Sequence, residues 1–121
     1  MTKTKTLAYS KEAEMGWLGA MMLDSLDAEL GIAKLKATDF HYKEHKLIFR
    51  AIKALDGDCD VHDVAKQLKK EGNLVAAGGI ANLTMLCQYC GTLDPMPWLK
   101  TIQAKTRLRL KRKADAKVGK E

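Results

Sequence analysis

Apolar residues recur along this chain at intervals of three and four and almost nowhere at two. That spacing buries one side of a helix, whereas alternation would bury one side of a strand. Ser10 can accept from a free amide at the start of a helix over residues 11–23. Ala13, Trp17, Ala20 and Met21 fall on one side of it, and Met15, Leu18 and Met22 on the other. A helix apolar on both sides is expected at the centre of a fold. Gly16 and Gly19 weaken it by about 1 kcal/mol each relative to alanine. Their expected use is to let a neighbouring backbone come close.

A short helix is predicted after Ser25, over residues 27–33. Thr38-Asp39-Phe40 opens a stronger one, from about Tyr42 to Leu55, with His45, Ile48, Phe49, Ile52 and Leu55 on one face. Lys46, Arg50 and Lys53 lie opposite, and Asp56-Gly57-Asp58 ends it. Asp60 caps a fourth helix with a Val61, Val64, Ala65 and Leu68 stripe, stopped by Gly72. Gly78-Gly79 precedes a helix bearing Ile80, Leu83, Leu86 and Cys87. Asp94-Pro95 starts the last one, with proline where its missing N–H does no harm. The pattern predicts an all-α fold, a compact bundle of about six helices. It divides into an N-terminal arm over 1–9, a helical body over 10–93 and a C-terminal helix over 94–121.

The 121 residues, 13.4 kDa, suit one domain. No apolar stretch approaches the ~20 residues of a membrane span, and no signal-peptide pattern opens the chain. Three cysteines, an odd number without a secretory signal, fit a reducing cytoplasm and no disulfide framework. The net charge of +6 is unevenly placed. Residues 1–99 hold 12 Lys/Arg against 13 Asp/Glu, and residues 100–121 hold 9 against 2. The whole excess therefore sits on the last helix and its end, where it can draw in phosphate or an acidic partner over ~8–10 Å.

Catalytic motifs are absent. There is no Gly-x-x-x-x-Gly-Lys-Ser/Thr loop, no His-Glu-x-x-His and no Gly-x-Ser-x-Gly. Gly78-Gly79 lacks the lysine, the hydroxyl and the preceding strand of a phosphate loop. No catalytic residue, cofactor or metal is assigned, and nucleotide binding is not expected. His45 lies on an apolar face and reads as a core histidine, since sequence places no nucleophile or carboxylate with it. Cys87-x-x-Cys90 has zinc spacing, and Cys59-x-x-His62 could meet it if the two helices ran antiparallel. Reduced, buried cysteine is the expected state.

Taken in order, Ser10-Lys-Glu-Ala-Glu14, Leu18-Gly19-Ala20, Asp39-Phe40, His45 and Ile48-Phe49-x-Ala51-Ile52-x-x-Leu55 form a longer signature. Asp60, Leu68, Gly72-Asn-Leu74 and Gly78-Gly79-x-Ala81-x-Leu83-x-x-Leu86 continue it. The series resembles the N-terminal domain of DnaB-type replicative DNA helicases over about residues 10–88. The resemblance implies packed helices followed by a helical hairpin. It also implies hairpin-paired dimers, three of which form a collar on a hexameric motor, where primase or a helicase loader docks. ATP and Mg would belong to a RecA-like motor whose residues are absent here. His41-Tyr42, Asn82-Leu83 and Val61-His62-Asp63-Val64 depart from the family pattern. They bear on partner choice more than on the fold.

By that resemblance the chain stops at Glu121, inside or just past the first hairpin helix. Leu99, Ile102, Thr106, Leu110 and Ala114 form its narrow apolar stripe, and Leu108 points away. Lys105, Arg107, Arg109, Lys111, Arg112 and Lys113 surround the stripe. Without a returning helix, Leu99, Ile102, Thr106 and Leu110 are expected to seek a second copy or another partner. DNA would be bound at most nonspecifically, through the basic side chains. The expected function is a non-catalytic helicase collar domain. The alternatives are a free-standing phage- or plasmid-type protein that imitates the collar, and a small basic DNA-binding protein. A reading frame that runs on into a Walker loop would separate the first two.

Overall fold

In the computed structural model, which describes residues 7–118, six α-helices are joined by short turns. They are α1 (Lys11–Leu23), α2 (Ser25–Lys34), α3 (Lys43–Ala54), α4 (Val61–Lys70), α5 (Gly79–Cys90) and α6 (Met96–Val118). One 3-10 turn, Ala37–Asp39, leads into α3, and there is no strand among the described residues. α1 contacts all five other helices. Its two apolar sides explain why: Trp17, Leu18 and Met21 are all wholly buried. The Ser10 hydroxyl caps it by accepting from the Ala13 N–H at 3.2 Å.

The two glycines of α1 are used differently. A Cβ on Gly19 would strike the Leu86 carbonyl of α5, so the two backbones cross at that point. A Cβ on Gly16 would strike the indole ring of Trp98 on α6, a side chain rather than a backbone. The expected close backbone approach thus holds for Gly19 alone.

The helix ends follow local chemistry. Asp24, not Ser25, caps α2, accepting from the Leu26 N–H at 2.8 Å. α3 ends where Asp56 and Gly57 both take positive φ, 55° and 76°, a turn that glycine enters without strain. Asp60 and Asp63 cap α4 reciprocally, each side chain accepting from the other's N–H at 2.9 and 3.1 Å. Gly72 stops it with Asn73 N–H donating back to Leu68 O at 2.8 Å. Asp94 accepts from the Met96 N–H at 3.1 Å and starts α6.

The core is drawn chiefly from α1, α3, α4 and α5, with smaller shares from α2 and α6, and Phe40, Phe49, Ile48, Ile52, Leu68, Leu83 and Leu86 are fully enclosed. Two predicted stripes are corrected. On α5 the buried line is Leu83, Leu86 and Cys90, while Ile80 is 47% exposed at the open edge of the bundle and Cys87 only half-buried. On α6, Leu99 and Ile102 are buried at 3% and 2% exposure in this chain's own core. Their partner is α1, not a second molecule. Beyond Ile102 the stripe comes off the body: Thr106 is half-buried, Leu110 is 62% exposed and Ala114 is exposed.

Of the expected N-terminal arm, residues 1–6 lie outside those described, and residues 7–9 are tied down. Leu7 and Ala8 carbonyls accept from Lys105 and Arg109 at 2.7 Å each, and Tyr9 stacks on His41 with ring centroids 3.8 Å apart.

Candidate functional site

Sequence leaves His45 without a partner; the fold provides one from α1. Glu14, one turn into that helix, is 2% exposed and reaches the start of α3. Its Oε2 accepts from the His41 N–H at 2.8 Å. Its Oε1 accepts from Nδ1 of His45 at 2.7 Å, and from the Tyr42 N–H at 3.4 Å. The N-cap residue of α3, Tyr42, makes no side-chain capping hydrogen bond of its own. Glu14 therefore acts as a cap supplied by another helix, where a carboxylate also suits the positive end of the helix dipole. Around this joint Tyr42 packs edge-on to His45 at 5.3 Å, and the Lys11 ammonium lies 5.3 Å from the Tyr42 ring centroid. Among the described residues, the pair's hydrogen bonds run to backbone amides and to one another. It builds a joint between helices.

The four candidate metal ligands do not converge. Among the described residues, no three His, Cys, Asp or Glu side chains gather to hold a metal ion, so Cys59, His62, Cys87 and Cys90 form no shared site. All three cysteines are free. Burial, with Asp63, Asp60 and Asp58 nearby, pushes the Cys59 thiol up to about 11. Burial also raises Cys87 and Cys90, helped in turn by Cys90 and by Asp27. Thiols held protonated at neutral pH are poor nucleophiles and poor metal ligands.

The basic residues of α6 are partly used at home. Arg109 donates to the Ala8 and Asp39 carbonyls at 2.7 Å, and to Thr106 Oγ1 at 3.2 Å. Lys105 donates to the Leu7 carbonyl. Both hold the N-terminal segment against α6, and Arg109 also holds the 3-10 turn there. Arg107, Lys111 and Lys113 are exposed, and Arg112 is half-buried.

A surface that sequence patterning did not single out lies on α5. Between Glu71 and Asp94 the chain has no charged residue for 22 positions. Val75, Ile80, Met85, Tyr89 and Leu93 from this run are all exposed. Met85, Tyr89 and Asn82 meet Met15 of α1 and the His45 edge of α3 in a cleft of about 490 Å³, rimmed by Lys11, Glu12 and Glu44. Tyr89 continues the apolar floor to Trp98, 5.9 Å between ring centroids. The signal available in the sequence was the missing charge, not the apolar period. Methionine and tyrosine in a shallow cleft suit an apolar segment of another protein, since methionine adapts its shape and tyrosine offers area at little entropic cost.

The fold is five helices packed around a central one, with a capping joint between α1 and α3 and an uncharged face at the surface. The sequence profile of the DnaB-like helicase N-terminal domain family matches residues 6–102, and the chain belongs to that family. Such a domain is the non-catalytic part of a replicative helicase. Among solved structures, the N-terminal domain of DnaB helicase from Mycobacterium tuberculosis superposes with a TM-score of 0.87 at 25% identity, over 95% of this chain and 85% of that one. No curated protein gives a significant match. None of the described helices is long and apolar enough to cross a membrane.

Proposed function

We propose that this domain serves as the collar of a replicative DNA helicase, helping to hold the ring together and presenting its α1–α5 face to a primase or a helicase loader. One observation supports it beyond family membership. A chain that is 30% charged keeps 22 successive residues uncharged and exposes Met85 and Tyr89 from the middle of them. Exposed apolar side chains grouped in one cleft are the usual mark of a protein contact. In this role the domain binds no nucleotide, and unwinding would be driven by ATP in a separate motor.

The test uses the variant Met85→Asp/Tyr89→Asp. Both side chains are exposed, so the substitution leaves the core untouched. Purified primase and purified loader are each run with the parent and the variant in sedimentation experiments. The parent is expected to co-sediment with one of them and the variant with neither. A variant that binds as tightly as the parent, or a parent that binds neither and stays monomeric, would refute the reading.

A further inference from the structure

We infer that the recess between the end of α2 and the middle of α6 is a binding site for the phosphate backbone of a nucleic acid, a role separate from protein docking on α5. The recess, about 410 Å³, is lined by Lys34 and Lys36 from the α2 end, Thr38 and Asp39 from the 3-10 turn, and Thr106, Arg109 and Leu110 from α6. Three cations and one carboxylate therefore face one opening. None of those cations is within ion-pair distance of a carboxylate among the described residues. Arg109 is held by three carbonyls and a hydroxyl, dipoles that fix the guanidinium without cancelling its charge. Asp39 keeps its charge, but its Oδ2 is turned to the Lys36 N–H at 2.6 Å, and the three cations leave the recess with a net positive balance.

The arrangement differs from a basic helix end in one respect. Lys34 and Lys36 come from the body, whose residues 1–99 carry 12 basic against 13 acidic side chains. Tertiary packing sets these two beside the basic helix. α6 is 23 residues long, about 34 Å, and carries Lys111 and Lys113 on exposed positions past the recess. A linear polyanion can occupy the recess and follow that helix, and a phosphodiester oxygen can accept from the lysines and from the Thr38 and Thr106 hydroxyls. The recess holds no base-reading helix or aromatic platform, so the binding is expected to ignore sequence. Burial of Leu99 and Ile102 inside the chain leaves Leu110, among the described residues, as the one large apolar side chain at this recess.

The test is fluorescence anisotropy of a labelled single-stranded DNA oligonucleotide across a salt series, using the full chain. Lys34→Ala/Lys36→Ala is compared with Lys66→Ala/Lys69→Ala, which removes the same charge from exposed positions on α4. All four lysines are exposed, and thermal melts of both variants are to match the parent's before binding is compared. The parent is expected to bind with log K falling linearly against log salt. Losing Lys34 and Lys36 is expected to weaken binding about tenfold or more and flatten that slope by about 1.4, two single-strand phosphate contacts. The α4 pair is expected to change binding by less than about twofold, since it acts only through screened, distant charge. Absence of saturable binding, or equal losses for the two pairs, would overturn the proposal. So would displacement of the oligonucleotide by poly-glutamate as readily as by unlabelled DNA, which would assign the recess to acidic polypeptide.

Discussion

Replacing Glu14 by leucine removes the acceptor that ties α1 to α3 while nearly keeping the volume, so little of its cost comes from a cavity. Three donors lose their partner: the His41 N–H, the Tyr42 N–H and Nδ1 of His45. A buried donor left without an acceptor costs about 1–3 kcal/mol. The Tyr42 contact, at 3.4 Å, is long and counts for little. The imidazole can move its proton to the other nitrogen, which spares part of its share. The total falls at about 2–5 kcal/mol. For a domain of this size that lowers Tm by roughly 10–20 °C. His45→Leu is expected to cost less, about 1–3 kcal/mol, because Glu14 keeps two amide donors and the α3 dipole. Urea unfolding of both variants, checked for an unchanged m-value, measures the difference. Glu14→Leu within about 1 kcal/mol of the parent, or His45→Leu costing more than Glu14→Leu, would refute the capping argument.

Three further outcomes are expected. Gly19→Ala is expected to destabilise by about 1–3 kcal/mol, since the Leu86 carbonyl it meets is backbone and cannot turn aside. Gly16→Ala, meeting only the Trp98 ring, is expected to cost less, and thermal melts in the reverse order would disprove the crossing geometry. Ile102→Ala is expected to cost about 2–5 kcal/mol, whereas Leu110→Glu leaves stability within about 0.5 kcal/mol; an unchanged melt for Ile102→Ala would place α6 off the body. The Cys59 thiol, raised in the fold to about 11 from 9.0, gives a stability contribution that is complete below pH 9 and declines as pH climbs toward 11. Denaturation midpoints for Cys59→Ser that decline as steeply as the parent's across that alkaline range would show the thiol is not responsible.

The helices themselves were readable from local chemistry. Ser10, Asp60, Gly72 and Asp94 act within three or four residues of where they stand, and the α3 face of His45, Ile48, Phe49 and Ile52 is buried as its spacing predicts. The resemblance to the DnaB-type family rested on the same short-range pieces, and the family match covers them. Short-range order of this kind is a property of the sequence, because a cap or a stripe depends on neighbours three and four positions away.

What lay beyond reach was pairing across the chain. Glu14 and His45 are 31 residues apart, and nothing in either segment says that the carboxylate of one caps the other's helix. Leu99 and Ile102 form the same stripe whether they face a second molecule or α1. The choice was made by Gly16, Gly19 and Trp98, which let α5 and α6 close onto the central helix. The recess of Lys34, Lys36 and Arg109 exists only because α6 runs past the end of α2, with the arm and the 3-10 turn held between by carbonyls. Periodicity determines which side of a helix is apolar. Close packing alone decides which surface that side meets, because the contact depends on shape across elements distant in sequence.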